Sequence, residues 1–363
     1  MRQETYDLLC AMIREYPVSG RAEALNRNAA RLREYLEKHG VACSVTDIGG
    51  LHLLYAESSP GSRPEYLFNA HMDVVPAVSE AQKEPVRQGD ELHARGAYDC
   101  LGAVACIAEL LADSAGKYKA SAFFTMDEEQ GGSTTKAMIR KGFVPEKAIL
   151  IIDGSSGSIA YAQKGILSIQ LKAHGKGGHA SVPWRFVNPI DLLLDGYFRL
   201  RSAWRQPDEQ DFWKDSMAAT VISGGAVTNQ IPDEAEMTLN IRYTKRDDQE
   251  KILSFIREKT GLEVRLLRQS DPVEMAPDHP ELLRLRECLQ RILGRDIAVE
   301  RICGASDARH CAGTGLPVLI IGIDGGGVHA ADEFCRLSSI DELRNALLQY
   351  MADASPVRTS AGC

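Results

Sequence analysis

Four short apolar runs, each leading into a polar or glycine-rich segment, constrain the fold of this chain more than any other feature. They are 66–70 (YLFNA), 120–126 (ASAFFTM), 148–152 (AILII) and 317–323 (PVLIIGI). Each is too short for a helix and too continuous for a half-exposed strand, as expected of strands covered by helices on both faces. Amphipathic helical patterns lie between and around them. Leu8, Leu9, Met12, Ile13 and Tyr16 form one stripe; Leu25, Ala29, Leu32 and Leu36 form the next, which Gly40 is expected to end as a C-cap. Residues 102–114 read as a helix between the first two strands, and Ser339 to Met351 as a final helix with Ser339 and Glu342 in capping-box spacing. Strands alternating with helices predict an α/β catalytic domain, with a mostly parallel sheet flanked by helices.

The middle of the chain obeys another rule. Leu167, Ile169 and Leu171 alternate with polar residues, as do Met237, Leu239, Ile241 and Tyr243. Period-two alternation predicts a sheet with one buried face, and helical stretches at about 187–203 and 246–259 can cover it. At 363 residues the chain is long enough for two domains. The expected division is a catalytic domain from 1–164 and 274–363, with an inserted α+β lid or dimerisation domain at 165–273.

The chemistry lies in the segments just past the buried strands. His71 and Asp73 come after the first, Asp127, Glu128 and Glu129 after the second, Asp153 after the third, and a glycine-rich loop ending at His329 after the fourth. Asp99 stands just before a helix. In open α/β sheets ligands bind beyond the carboxyl ends of the strands, so these segments converge on one edge. Each residue alone is ordinary, whether a core histidine, a helix cap or an acidic turn; their joint placement is what carries the argument. Carboxylates crowded together repel one another, and cations remove that conflict. Asp99, Glu129, Asp153, His71 and His329 supply five ligands for two divalent ions if one carboxylate bridges. Mixed nitrogen and oxygen donors suit zinc, with cobalt or manganese as substitutes. Glu128, left over beside Glu129, can face the attacking water as general base and later pass the proton to a leaving amine. Asp73, two residues from His71, can hold the imidazole in one tautomer.

Charge and composition exclude other classes. Net charge is −8 with no basic tract, which argues against nucleic acid as a partner. No run is long and apolar enough to span a membrane. The polar start, Met1-Arg2-Gln3-Glu4-Thr5, has no apolar signal core, and a cytoplasmic protein is expected. Nine irregularly spaced cysteines without a C-x-x-C pair are expected to be reduced and mostly buried. The tail at 355–363 is expected to be loose.

Across nearly its whole length the chain resembles the metal-dependent exopeptidases and deacylases that include acetylornithine deacetylase, succinyl-diaminopimelate desuccinylase, glutamate carboxypeptidase and bacterial di- and tripeptidases. The likeness is carried in order by HMDVVP at 71–76, RGAYD at 95–99, DEEQGG at 127–132, IIDG at 151–154, GGHASVP at 177–183, NQIPDEAEMTLNIRY at 229–243, GASDAR at 304–309 and HAADE at 329–333. The resemblance implies that His71 and Asp153 bind one metal, that Glu129 and His329 bind the other, and that Asp99 bridges. It implies Glu128 as catalytic acid/base and Asp73 as the histidine's partner. It further implies that His179 steadies an oxyanion, often in the partner subunit, that Arg242 grips a substrate carboxylate, that Asn229 and Gly304 line the substrate pocket, and that the inserted domain can mediate a homodimer.

Two departures matter. Cys100-Leu101-Gly102 stands where the family often has Met-Lys-Gly, and Asp153 stands where many deacylases carry Glu and many di- and tripeptidases carry Asp. The expected activity is a di-metal hydrolase cleaving an amide bond in a small molecule bearing a carboxylate, with deacylase and dipeptidase or carboxypeptidase both open. The alternatives are a mononuclear zinc enzyme and a non-catalytic descendant that binds metal or a small acid.

Overall fold

Every residue of the strands Tyr66–His71, Ala120–Thr125 and Ala148–Ile152 is buried, which explains why these runs show no polar alternation. The computed structural model describes residues 1–354, so the tail at 355–363 lies outside the described residues. Two compact units divide the chain. The first comprises residues 1–161, 274–300 and 306 onward; the second comprises 162–273 with 301–305.

In the first unit, α1 (Gln3–Arg14) and α2 (Ala22–Lys38) precede β1 (Ala42–Ile48), β2 (Leu51–Glu57) and β3 (Tyr66–His71). Then come α3 (Leu101–Ser114), β4 (Ala120–Thr125), α4 (Ser133–Arg140), β5 (Ala148–Ile152) and β6 (Ser158–Gln163). The second unit supplies β7 (Gly165–His174), α5 (Pro189–Ala203), β8 (Ser216–Gly224), β9 (Glu234–Tyr243), α6 (Gln249–Thr260) and β10 (Glu263–Ser270). The chain returns with α7 (Pro280–Leu293), β11 (Val318–Ile321) and α8 (Leu337–Ala354).

The large sheet runs β1-β2-β4-β3-β5-β11-β6. Its centre is parallel: β3 pairs with β4 and β5, and β5 with β11. Its margins are antiparallel, through β1–β2, β2–β4 and the Ile320–Ala160 pair between β11 and β6. The sheet is therefore mixed around a parallel core. The β1–β2 hairpin turns on Gly49 and Gly50, whose φ values of 63° and 87° demand residues free of a Cβ penalty. Helix α3 is apolar nearly all round, as a helix buried on every side must be. It packs on β3, β4, α1 and α8. Its one buried carboxylate, Glu109, accepts the Arg2 backbone N–H at 2.6 Å and an Arg344 guanidinium N–H, so no charge is buried unpaired.

The last helix corrects the expected capping box. α8 starts at Leu337, and Ser339 lies inside its first turn. There the Ser339 hydroxyl donates to the Arg336 carbonyl at 2.6 Å and accepts the Asp324 N–H at 2.9 Å. The cap comes instead from Asp90, whose carbonyl takes the Leu337 N–H at 2.8 Å and whose carboxylate takes the Ser338 N–H at 3.0 Å.

The second unit is an antiparallel sheet in the order β8-β9-β7-β10. Leu167, Ile169, Leu171, Leu239 and Ile241 meet Leu193 and Leu200 of α5 and Leu253 and Ile256 of α6 in one core. Burying each such side chain contributes about 1.5–3 kcal/mol. Among the described residues no helix is long and apolar enough to cross a membrane.

Candidate metal centre

Because β3, β4, β5 and β11 run in one direction, their carboxyl ends share an edge, and the polar segments after them meet there. β3 delivers His71. β4 leads into a single tight turn, Glu128–Gln130, that carries Glu128 and Glu129. β5 ends one residue before Asp153. Asp99 stands two residues before α3, and His329 lies in the loop beyond β11 with φ of 61°.

The side chains converge into two groups that share a member. Ligand atoms of His71, Asp99, Cys100 and Asp153 lie within 4.8 Å of one another, and so do those of Asp99, Glu129 and His329. Asp99 presents Oδ1 to His71 Nε2 at 2.9 Å and Oδ2 to His329 Nε2 at 3.2 Å. Glu129 Oε1 lies 2.9 Å from the same His329 nitrogen. One carboxylate thus spans two imidazoles, as a bridging ligand must.

The electrostatics fit a cation-holding site. Asp153 is half-buried, and the desolvation of its carboxyl, offset in part by His71 and reinforced by Asp99 and Glu128, pushes it well above the ordinary carboxylate range. Burial also works against Asp99, but hydrogen bonds from His329 and His71 hold its carboxyl below that range. Cys100 Sγ–H donates to the Ile152 carbonyl at 3.1 Å, which points the thiol at the backbone, and burial pushes it up to about 12. The other donors are imidazole and carboxylate, a set that suits a borderline divalent ion such as zinc.

Asp73 does more than orient the ring. His71 Nδ1 lies 2.9 Å from the Asp73 backbone carbonyl, whereas the Asp73 carboxylate is 3.3 Å away. That carboxylate instead accepts the Ser19 hydroxyl at 2.7 Å and the backbone N–H groups of Glu128 and Glu129 at 3.0 and 3.2 Å. It caps the acidic turn and ties it to the strand end that bears His71. Gly131 and Gly132, at φ of 115° and 66°, then let the chain reverse into α4.

Glu128 belongs to neither ligand group. Its Oε1 accepts a hydrogen bond from Arg309 Nη2 at 2.8 Å, and the same guanidinium nitrogen donates to the Glu128 carbonyl at 3.1 Å. Burial, then the charge of Asp307, pushes the Glu128 carboxyl up to about 7, with Arg309 opposing. Asp307 is itself buried and is held by Thr125 Oγ1 at 2.8 Å and by the Thr135 hydroxyl. Sequence reasoning assigned Arg309 no part here, although GASDAR at 304–309 marked the segment.

Beside Asp99 and Asp153 opens a cavity of about 270 Å³, lined by Tyr98, Ile152, Ile323 and Val328 among others, with no Lys or Arg among the described lining residues. The other predicted residues belong to the second unit. His179 pairs with Gln230 in a short ladder, and the Asn229 carbonyl accepts the Ala180 N–H at 3.0 Å. Arg242 is half-buried on β9, with Nε donating to Asn240 Oδ1 at 3.1 Å. Gly304 falls within residues 301–305.

Residues 67–353 match the peptidase family M20/M25/M40. The chain belongs to this family. The resemblance read from the motifs therefore holds, and as a member of the M20/M25/M40 peptidases the protein is a hydrolase. It is 25% identical over 308 residues to a succinyl-diaminopimelate desuccinylase of Sulfurimonas denitrificans, covering 79% of this chain and 83% of that one. Among solved structures, a tripeptidase from Staphylococcus aureus superposes with a TM-score of 0.79 at 18% identity, covering 96% of this chain and 97% of that one. A dinuclear metal-binding peptidase from Bacillus subtilis does so with a TM-score of 0.70 at 15% identity, covering 97% and 99%. These two likenesses establish the fold.

Proposed function

We propose that this M20/M25/M40 member hydrolyses the amide bond of a short peptide or N-acyl amino acid bearing a free carboxylate. In this reading two divalent ions, zinc by preference, are held by His71, Asp99, Glu129, Asp153 and His329. The observation that carries it is Asp99, with one oxygen toward each imidazole and membership in both donor groups. When bound, such ions supply Lewis-acid polarisation of the amide carbonyl and of the attacking water.

The remaining steps fall to the protein. Glu128 takes a proton from the water on its carboxylate and delivers it to the leaving amine nitrogen. A carboxyl lifted to about 7 can do both, because a group that titrates near the working pH exchanges protons in either direction. Arg309 fixes the direction of that carboxylate, and Asp73 fixes the turn that bears it. His179 Nδ1 accepts the Ser181 N–H at 3.2 Å. In the neutral ring the proton then sits on Nε2, a donor suited to an oxyanion. Arg242 is read as the fork for the substrate carboxylate, with Asn229 and Gly304 as pocket residues.

Asp153, an Asp where many deacylases of the family carry Glu and many di- and tripeptidases carry Asp, supports short peptides over N-acyl amino acids. Metal-free protein reloaded with zinc and assayed on dipeptides, N-acetyl and N-succinyl amino acids tests this. Dipeptides are expected to give the highest kcat/KM; a preference for succinyl substrates would overturn the choice. Binding of zinc with no turnover of any substrate would favour a non-catalytic role.

The reading includes a homodimer through the second unit. β8 closes one edge of its sheet, and its Val221 and Ile222 are 59% and 57% exposed, with Phe198 of α5 at 57%. Unprotected edges with apolar side chains favour pairing. Sedimentation velocity is expected to show a dimer that Val221→Lys with Ile222→Lys converts to monomer; a wild-type monomer would end this part. The eight unpaired cysteines among the described residues suit a reducing, cytoplasmic setting.

A further inference from the structure

An ion pair with almost no solvent access touches the two loops that carry Asp99 and His329. Arg95 Nη1 donates to Glu333 Oε2 at 2.5 Å, and the two side chains are 1% and 0% exposed. Each partner also grips the other's loop. Glu333, four residues beyond His329, accepts the backbone N–H groups of Gly96, Tyr98 and Asp99 on Oε1 at 2.9, 3.1 and 3.1 Å. Arg95, four residues before Asp99, donates from Nη2 to the carbonyls of His329 at 3.0 Å and Ala330 at 3.2 Å. Gln82 reinforces the second grip, with Nε2 donating to the Ala330 carbonyl at 2.8 Å.

The reciprocity needs a reason. A buried ion pair seldom stabilises a fold more than well-packed apolar residues would, and its best-attested use is to fix one arrangement among several. Here the arrangement includes His329 at φ of 61°, a conformation that a non-glycine residue keeps only when its surroundings impose it. The Arg95 guanidinium holds the carbonyl of that same residue. The strand-borne ligand His71 and its neighbour Asp153 receive no such bond from either member of the pair.

We propose that Arg95 and Glu333 are positioning residues that set the separation of Asp99 from His329, and through it the affinity of the metal position formed by Asp99, Glu129 and His329. The proposal rests on the two-metal reading above. It concerns how the two loops are held, not which atoms bind the ions.

Zinc titrated into metal-free full-length protein by calorimetry, with bound metal counted by elemental analysis, tests it. Glu333→Gln keeps an acceptor for the three N–H groups but removes the charge facing Arg95. One of two zinc ions is expected to bind about 10–100-fold more weakly, as for other losses behind a ligand shell, while the other, which shares only Asp99 with the gripped loops, weakens clearly less. Arg95→Met combined with Glu333→Leu removes the pair without leaving a buried charge, and the same split is expected, with near-UV circular dichroism of the metal-free protein unaltered. Equal weakening of both ions, or of neither, in variants that fold would overturn the proposal. So would failure of both variants to fold, because the pair would then hold the whole unit rather than two loops. Wild-type protein binding fewer than two zinc ions would overturn the two-metal reading itself, whereas a two-zinc wild type with unaffected variants would sink the positioning role alone.

Discussion

Glu128→Ala is expected to keep two ions per chain and to lower kcat by about 10²–10⁴-fold, the range that loss of a positioned general acid/base costs. The metal count should hold because Glu128 lies in neither donor group. The rate should fall because, among the described residues, Glu128 is the buried carboxyl beside the centre that is turned to Arg309 rather than to an imidazole. Alanine also strips Arg309 of its 2.8 Å bond to that carboxylate. Glu128→Gln therefore belongs beside it: the amide oxygen still accepts the Arg309 N–H, but no base remains. Both variants should lose rate alike, with KM little changed. Near-normal turnover in either would remove Glu128 from the mechanism.

The second large effect is expected at Asp99. Asp99→Ala removes the carboxylate common to both groups and leaves the buried His71 Nε2 without its 2.9 Å partner. Elemental analysis is expected to find less than one ion per chain, and amide hydrolysis to fall to background. His329→Ala, which touches one group only, should instead lose mainly one ion. If Asp99→Ala retained two ions, Asp99 would not be the bridge, and the centre would be two separate sites.

Much of this was legible in the chain itself. Burial on both faces erases polar alternation, so YLFNA, ASAFFTM and AILII announced a covered sheet, and the residues just after them announced its active edge. The β8 and β10 strands were missed because edge strands, mostly exposed here, need no apolar rhythm. The Gly49-Gly50 turn between β1 and β2 was a readable hairpin signal that went unused. The cap of α8 could not be read locally, because Asp90 supplies it from 248 positions away. The same holds for the groups behind the ligands. Arg309 meets Glu128 across 181 positions and Arg95 meets Glu333 across 238. A charged residue in a loop looks solvated until the fold buries it against its partner, whereas a ligand-bearing strand end carries its own local signature.

Anomalous diffraction at the zinc edge, from crystals of the zinc-loaded protein, bears most directly on the central claim. The account predicts two peaks about 3.5–4 Å apart, the usual spacing of paired catalytic ions, one beside His71 and Asp153, the other beside Glu129 and His329, with Asp99 between them. A single peak, or two that do not share Asp99, would contradict it.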